Sequence, residues 1–105
     1  MKVGEWLDIW VAEYLNNVKP LTEQNYKKQV EKHLKPALGS RRLEALDAHT
    51  IQKFYNSLTG MGLSPKTVKN IHGVLHSALQ QAIANGYIRN NPTEACKLPK
   101  VVKPE

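Results

Sequence analysis

The segment between Ser64 and Gly86 constrains the fold more than any other part of the chain. Apolar residues recur there through five turns, at the spacing of an amphipathic helix: Val68, Ile71, Leu75, Ala78, Leu79 and Ala82. Ser64 is a favoured N-cap residue, and Pro65 suits the first helical position because the N–H that it lacks has no intrahelical partner there. Asn85 and Gly86 form a helix-stop signal. The sequence therefore predicts one long helix with a single buried stripe.

Two shorter helical patterns precede this helix. Residues 4–17 place an apolar, aromatic-rich stripe at helical spacing: Trp6, Leu7, Trp10, Tyr14 and Leu15. Pro20 is predicted to end that first helix. Thr22 is predicted to cap a second helix that runs from Glu23 to about Leu34.

A third short pattern and the breaks around it complete the predicted architecture. Pro36 and Gly39 are expected to break the chain after the second helix. Asp47 is predicted to open a third helix that ends at the glycines 60 and 62. Its buried face is expected to hold Ile51, Phe54, Tyr55 and Leu58. No strand pattern is long enough to indicate a sheet, so we predict an all-α fold, a small orthogonal bundle of four main helices, with the segment 93–96 compatible with a further short helix.

Basic charge is concentrated in two blocks of the sequence. The 105 residues carry a formal net charge of +6. Residues 19–42 hold seven basic and two acidic side chains, and residues 64–105 hold six basic and two acidic ones. No carboxylate occurs between Pro65 and Asn85, although an exposed helix face usually mixes both signs. This distribution favours a polyanion partner, and double-stranded DNA above all.

The exposed faces of the second and fourth helices supply the candidate DNA contacts. Lysine and arginine suit phosphates, and asparagine amides suit adenine edges. Gly73 lies at the centre of the polar face of the fourth helix, where it costs about 1 kcal/mol against alanine and leaves room for close approach. The predicted DNA-binding residues are Thr22, Asn25, Lys28, Lys32, Arg41, Arg42, Ser64, Lys66, Thr67, Lys69, Asn70, Gly73 and His76.

No metal, cofactor or catalytic site is predicted. His72 and His76 have the i, i+4 spacing of zinc ligands, but no third ligand accompanies them. Cys96 is the single cysteine, which excludes an internal disulfide and indicates a reducing cytoplasm. No histidine is adjacent to Cys96 to activate it as a nucleophile. No apolar run approaches the roughly 20 residues that a membrane span needs.

A second class of function stays open on these patterns. Trp6, Trp10 and Tyr14 share one helical face, which is typical of a core or of a partner surface. With that face exposed, the chain would be a helical protein–protein interaction module that does not bind DNA. Salt discriminates the two functions, because phosphate contacts weaken steeply with ionic strength and aromatic docking does not. A stand-alone enzyme is disfavoured because no catalytic constellation is present.

The serial order of several motifs resembles a known family. In order, the motifs are GEWLDIWVAEYL, KPLTEQNYKKQVEKHLKPALGSRRLEAL, IQKFYNSL, GLSPKTVKNIHGVLHSALQQAIANGYIRNNP and KLPK. They span nearly the whole chain and resemble the core-binding, SAM-like domain of phage-integrase-type tyrosine recombinases. The style is that of integrases from conjugative transposons and prophages.

The resemblance implies a partner and a mechanism for a larger enzyme. Residues 1–96 would be the core-binding domain, and residues 97–105 would begin the linker to a catalytic domain. In such recombinases the two domains clamp the attachment core site, with the counterparts of the second and fourth helices facing the major groove. A tyrosine of the catalytic domain attacks the scissile phosphate, and strand exchange proceeds in a tetramer of integrase protomers.

The resemblance also limits what these residues do alone. Neither the arginine pocket nor the nucleophile can be placed between Met1 and Glu105, and neither Tyr55 nor Tyr87 is expected to be that nucleophile. We therefore expect one domain of a larger enzyme, without catalytic activity of its own. It is expected to be monomeric, to need no cofactor, to contact no membrane and to act on DNA in the bacterial cytoplasm.

Overall fold

The computed structural model describes residues 1–98, and helices make up most of them. The α-helices are α1 (Val3–Tyr14), α2 (Pro20–Gln29), α3 (Lys35–Leu38), α4 (Ala48–Gly60) and α5 (Pro65–Ala84). A π-helical turn, Val30–Leu34, joins α2 to α3, and 3-10 turns occur at Leu43–Ala45 and Pro92–Ala95. Within these residues there is no strand, only an isolated antiparallel bridge between Lys2 and Arg42. The α1 helix, the continuous α2–α3 segment, α4 and α5 confirm the predicted all-α fold of four main helices.

The second helix begins earlier than the sequence predicted. Pro20 is its first residue and Lys19 its N-cap, so that Thr22 lies inside the first turn and the prediction that it caps the helix is wrong. Proline suits the first position because its φ is fixed near the helical value and its missing N–H has no partner there. The Glu23 N–H donates to the Lys19 carbonyl at 2.9 Å and so closes the first turn.

Pro36 does not break the chain, contrary to the prediction. It occupies the second position of α3, and the helical path continues to Leu38. The Lys35 N–H donates to the carbonyl of Val30, five residues back, which is the bond of a π turn. Pro36 has no N–H to offer the carbonyl of Lys32, and its ring requires room there. The wider π turn before it lets the helix pass through the proline.

The predicted boundaries of α4 and α5 are confirmed by their caps. Asp47 Oδ1 accepts from the Thr50 N–H at 2.7 Å, a bond that also lowers the pKa of Asp47. Ser64 Oγ accepts from the Thr67 N–H at 3.2 Å at the start of α5. Gly62 and Gly86 follow the two helices with φ of +90° and +79°, values that glycine adopts without strain.

The two tryptophans of the aromatic face of α1 lie inside the protein, whereas Tyr14 is 40% exposed. Trp6 is 0% exposed and Trp10 is 4% exposed. The Trp6 Nε1–H donates to the carbonyl of Ala78 on α5 at 2.9 Å, and Trp10 stacks on Tyr26 of α2 with ring centroids 5.7 Å apart. These residues join three helices and offer no surface to a partner. The interaction-module alternative that used the Trp6/Trp10 face is therefore wrong.

Gly39 is crowded by the helical turn that precedes it, at the point where the end of α3 meets α1. The Gly4 N–H donates to the Gly39 carbonyl at 3.1 Å, and a Cβ on Gly39 would lie 2.5 Å from the Lys35 carbonyl oxygen. We expect Gly39→Ala to lower the free energy of unfolding by about 1–3 kcal/mol, because the backbone must shift to admit the methyl group.

Gly73→Ala is the matched control for that substitution. A Cβ on Gly73 meets no atom within 4 Å, so alanine there should raise the free energy of unfolding by about 0.5–1 kcal/mol through helix propensity. Urea denaturation followed by circular dichroism measures both values. A Gly39→Ala protein as stable as the parent would contradict the crowding at this contact.

Candidate nucleic-acid interface

An open groove of about 830 Å³ lies where α2 packs against α5. The packing brings together one α2 residue and six α5 residues that the sequence nominated for DNA: Asn25, Lys66, Thr67, Lys69, Asn70, Gly73 and His76. The α5 residues face the groove because Val68, Ile71 and Leu75, fully buried on the opposite side, fix the rotation of the helix. Gly73 leaves the floor of the groove open, since even an added Cβ there would touch nothing.

Two asparagines join the walls of this groove. Asn25 Nδ2 donates to Asn70 Oδ1, and Asn70 Nδ2 donates back to Asn25 Oδ1, both at 3.2 Å. Gln29 Nε2 also donates to Asn25 Oδ1, at 3.4 Å. Asn70 keeps one N–H and one carbonyl lone pair outside these bonds, which are the groups that hydrogen-bond to a base edge. The pair therefore fixes the orientation of an amide that can still be read from the groove.

The lysines of the groove differ from several lysines of the other basic block in that they form no ion pairs. Lys66 and Lys69 are exposed and form no ion pair with any carboxylate in residues 1–98. In the other basic block, Lys27 pairs with Glu23 at 2.8 Å, and Lys35 pairs with Asp8 at 2.9 Å. The Lys35 amine also lies 3.4 Å from a carboxylate oxygen of Glu31. The unpaired cations of α5 are thus the ones available to a polyanion in the groove.

Six of the predicted contact residues do not line the groove. Thr22 and Lys28 lie on α2 outside it, and Ser64 lies beside it, bonded to Thr67 at the start of α5. Lys32 borders a smaller groove with Pro36 and Met61, on the stretch where the π turn changes the helical register. Arg41 borders a third groove with His49 and Lys53. Arg42 is the next residue in the chain.

The loop that carries Arg41 and Arg42 is held by the N-terminus. The Val3 N–H donates to the Arg41 carbonyl at 2.8 Å, and the Leu43 N–H donates to the Met1 carbonyl at 2.9 Å. The two guanidinium groups remain exposed, but on a surface apart from the α2–α5 groove. The structure therefore does not bring Arg41 and Arg42 together with Lys66 and Lys69.

His72 is a groove residue that the sequence did not predict to contact DNA. Its Nδ1 lies 2.8 Å from the hydroxyl of Tyr55 on α4, and the ring also lines the groove. Burial lowers the pKa of His72. The i, i+4 spacing of His72 and His76 is typical of metal ligands and does not indicate DNA binding. No local sequence pattern links a histidine to a tyrosine 17 residues away.

No group of three or more histidine, cysteine, aspartate or glutamate side chains in residues 1–98 is arranged to hold a metal ion. Burial raises the pKa of the Cys96 thiol, whose Sγ donates to the Ala48 carbonyl at 3.4 Å. None of the helices in this part of the chain has both the length and the apolar character to cross a membrane.

Comparison with known families identifies this helical domain. A family model described as phage integrase, N-terminal SAM-like domain, matches residues 2–59, more than half of the chain. The chain belongs to this phage integrase family. An integrase of Saccharopolyspora erythraea is 32% identical over 103 residues, which cover 91% of this chain and 24% of the relative. The chain thus spans about a quarter of the length of the curated relatives that it matches.

Solved structures agree with the family and confirm the SAM-like fold. The phage integrase SAM-like domain of Moorella thermoacetica superposes with a TM-score of 0.83 at 38% identity, covering 97% of this chain and 88% of that one. A lambda integrase dimer bound to a COC′ core site superposes with a TM-score of 0.88 at 25% identity, covering 98% and 37%. The tail that was predicted to begin an interdomain linker lies, from residue 99 onward, outside the described residues.

Proposed function

We propose that this SAM-like domain grips core-site duplex DNA in a site-specific tyrosine recombinase, through the groove between α2 and α5. The observation that carries the proposal is the exposed face of α5, which has no carboxylate, holds Lys66 and Lys69 unpaired and is open at Gly73. The related lambda integrase, whose structure is of a dimer on a core site, supports the same partner.

The groove suits contacts of two kinds. Lys66 and Lys69 would neutralise phosphates near the N-terminus of α5, where the helix dipole also favours negative charge. The Asn25–Asn70 pair would meet base edges, since the major groove, about 12 Å wide, admits a helix. Thr67 and His76 complete the surface that faces the duplex.

The remaining nominated residues divide into two groups. Thr22, Lys28 and Ser64 adjoin the groove, and we assign them to flanking phosphates, which position the protein without reading sequence. Lys32, Arg41 and Arg42 lie outside the groove, and their contacts with DNA stay predictions.

The larger protein to which this domain belongs is proposed to be an integrase that acts on a mobile element in the bacterial cytoplasm. Residues 1–96 would form one side of a clamp around the attachment core site, and residues 97–105 would lead to the catalytic side. Cleavage and joining would take place in the catalytic domain, within an assembly of integrase protomers. The domain alone should therefore form no covalent adduct with DNA.

A salt titration of duplex binding tests the proposed function. Fluorescence anisotropy of labelled duplex DNA should give a Kd of about 10⁻⁴ to 10⁻⁶ M near physiological salt, with affinity falling steeply as salt rises. Lys69→Ala should weaken binding and reduce the slope of log K against log salt by about one, because one phosphate contact is lost.

Lys53→Ala is the matched control, since Lys53 is also an exposed lysine, but on α4, where it borders a different groove. Its binding and its salt slope should match those of the parent protein. The proposal fails if the folded domain does not bind DNA at low salt, or if Lys53→Ala and Lys69→Ala behave alike.

A further inference from the structure

We propose that His72 donates a hydrogen bond from Nε2 to an acceptor on the bound DNA, and that Tyr55 holds the histidine in the tautomer that makes this donation. The proposal deepens the function proposed above and rests on it. His72 would be a binding residue, and Tyr55 a positioning residue that never touches the DNA.

Tyr55 approaches His72 from the core side. It is 1% exposed on α4, and its hydroxyl oxygen lies 2.8 Å from His72 Nδ1. The two rings meet edge to face, with centroids 5.5 Å apart and an interplanar angle of 73°. The histidine ring is thus fixed in position and in rotation by a residue of another helix.

The direction of this hydrogen bond follows from the surroundings of the hydroxyl. A buried tyrosine O–H needs an acceptor, and within residues 1–98 its one hydrogen-bond partner is His72 Nδ1. Burial raises the pKa of Tyr55 and lowers the pKa of His72, so that the hydroxyl keeps its proton and the imidazole stays neutral. A neutral imidazole carries one proton, and since Nδ1 accepts, that proton is on Nε2.

Nε2 is the nitrogen that remains for a ligand. It makes no hydrogen bond with the described part of the chain, and the ring to which it belongs lines the α2–α5 groove next to Gly73. The nearby Glu94 is engaged elsewhere, 3.6 Å from His76 Nε2 and 3.4 Å from Gln80 Nε2. A groove ligand therefore meets a fixed N–H donor beside the opening at Gly73.

DNA offers this donor two kinds of acceptor, the phosphate oxygens and the N7 atoms of purines in the major groove. A neutral donor displaces no counterion, so its contribution should be independent of salt, unlike that of a lysine. This difference separates the role of His72 from that of Lys66 and Lys69.

Nitrogen-15 NMR of the imidazole tests the tautomer without any DNA. In the parent protein His72 should show a protonated Nε2 and an unprotonated Nδ1. Tyr55→Phe, which keeps the ring and removes the hydroxyl, should increase the fraction of His72 that carries its proton on Nδ1, while its circular dichroism spectrum stays helical. A parent protein with the proton on Nδ1 would overturn the proposal.

Duplex titrations then test the donation itself. His72→Ala should weaken binding by roughly two- to tenfold, the range for one neutral hydrogen bond, at every salt concentration and with an unchanged salt slope. His72→Gln, whose amide N–H can reach the position of Nε2, should restore most of the affinity. If the loss disappears on a duplex with 7-deazapurines, the acceptor is a purine N7, and if it persists, the acceptor is a phosphate.

The parent protein separates the two ways in which the proposal can fail. If the parent binds duplex DNA and a folded His72→Ala binds equally well, the assignment of His72 is wrong and the proposed function stands. If the folded parent does not bind DNA at all, the proposed function fails, and the proposed DNA contact of His72 fails with it.

Discussion

We expect Gly73→Leu to weaken duplex-DNA binding by roughly one to two orders of magnitude and to leave the domain folded. Gly73 lies on the floor of the α2–α5 groove, where an added Cβ meets no atom within 4 Å. An isobutyl group there would hold the duplex away from Lys69 and Asn70. Loss of contacts at the centre of an interface costs 2 kcal/mol or more, and each 1.4 kcal/mol is about tenfold in affinity.

Stability should move in the opposite direction. Leucine favours a helix interior over glycine by nearly 1 kcal/mol, which for a domain of this size raises the melting temperature by about 4–8 °C. Anisotropy titration and thermal circular dichroism measure the two effects on the same sample. Better folding combined with weaker binding is a result that a purely structural role for this position does not produce.

Gly60→Leu is the matched control for this substitution. Gly60 is also a helical glycine with open space around it, but it ends α4, outside the groove. Its DNA affinity should equal that of the parent. If Gly73→Leu binds like the parent as well, α5 is not the helix that approaches the duplex.

The largest loss of stability should follow from Trp6→Ala. Trp6 is fully buried and donates from Nε1 to the Ala78 carbonyl at 2.9 Å. Its ring meets Tyr87 edge to face at 5.3 Å and Tyr14 at 5.8 Å. Truncation of a buried tryptophan costs about 3–5 kcal/mol. The free energy of unfolding of a small domain is only about 5–15 kcal/mol in total. The melting temperature should therefore fall by more than about 10 °C.

Trp6→Phe separates packing from the hydrogen bond. Phenylalanine keeps an aromatic ring in the core and removes only the N–H and part of the ring area, so we expect a clearly smaller loss than with alanine. Urea denaturation of the three proteins gives the comparison. A Trp6→Ala protein within 1 kcal/mol of the parent would mean that this face is not part of the core.

Local signals were sufficient to predict the two helices with side-chain caps. Asp47 and Ser64 each accept from a backbone N–H three residues ahead, and Gly62 and Gly86 adopt positive φ after the helices. These interactions depend on near neighbours in the chain, so residue type at a fixed offset reveals them. The exposed face of α5 followed from the same pattern, because burial of its apolar stripe fixes the opposite side.

Proline was the ambiguous signal in the sequence. The sequence predicts that Pro20 ends the first helix and that Pro36 breaks the chain after the second, yet Pro20 begins α2 and Pro36 lies within α3. A proline only removes one N–H and fixes one φ, which suits a helix start as well as a stop. Whether a π turn accommodates the proline depends on how the surrounding helix packs against its neighbours.

The sequence by itself determined the all-α fold, the family and the basic, carboxylate-free face of α5. Only the tertiary structure decided that Trp6 and Trp10 belong to the core, that Asp8 and Glu31 neutralise Lys35, and which cations share a groove. The Asn25–Asn70 pair joins residues 45 apart, and the Tyr55–His72 bond joins residues of two helices. Such contacts depend on how helices rotate and cross when their apolar stripes pack together, and no spacing within one helix encodes that arrangement.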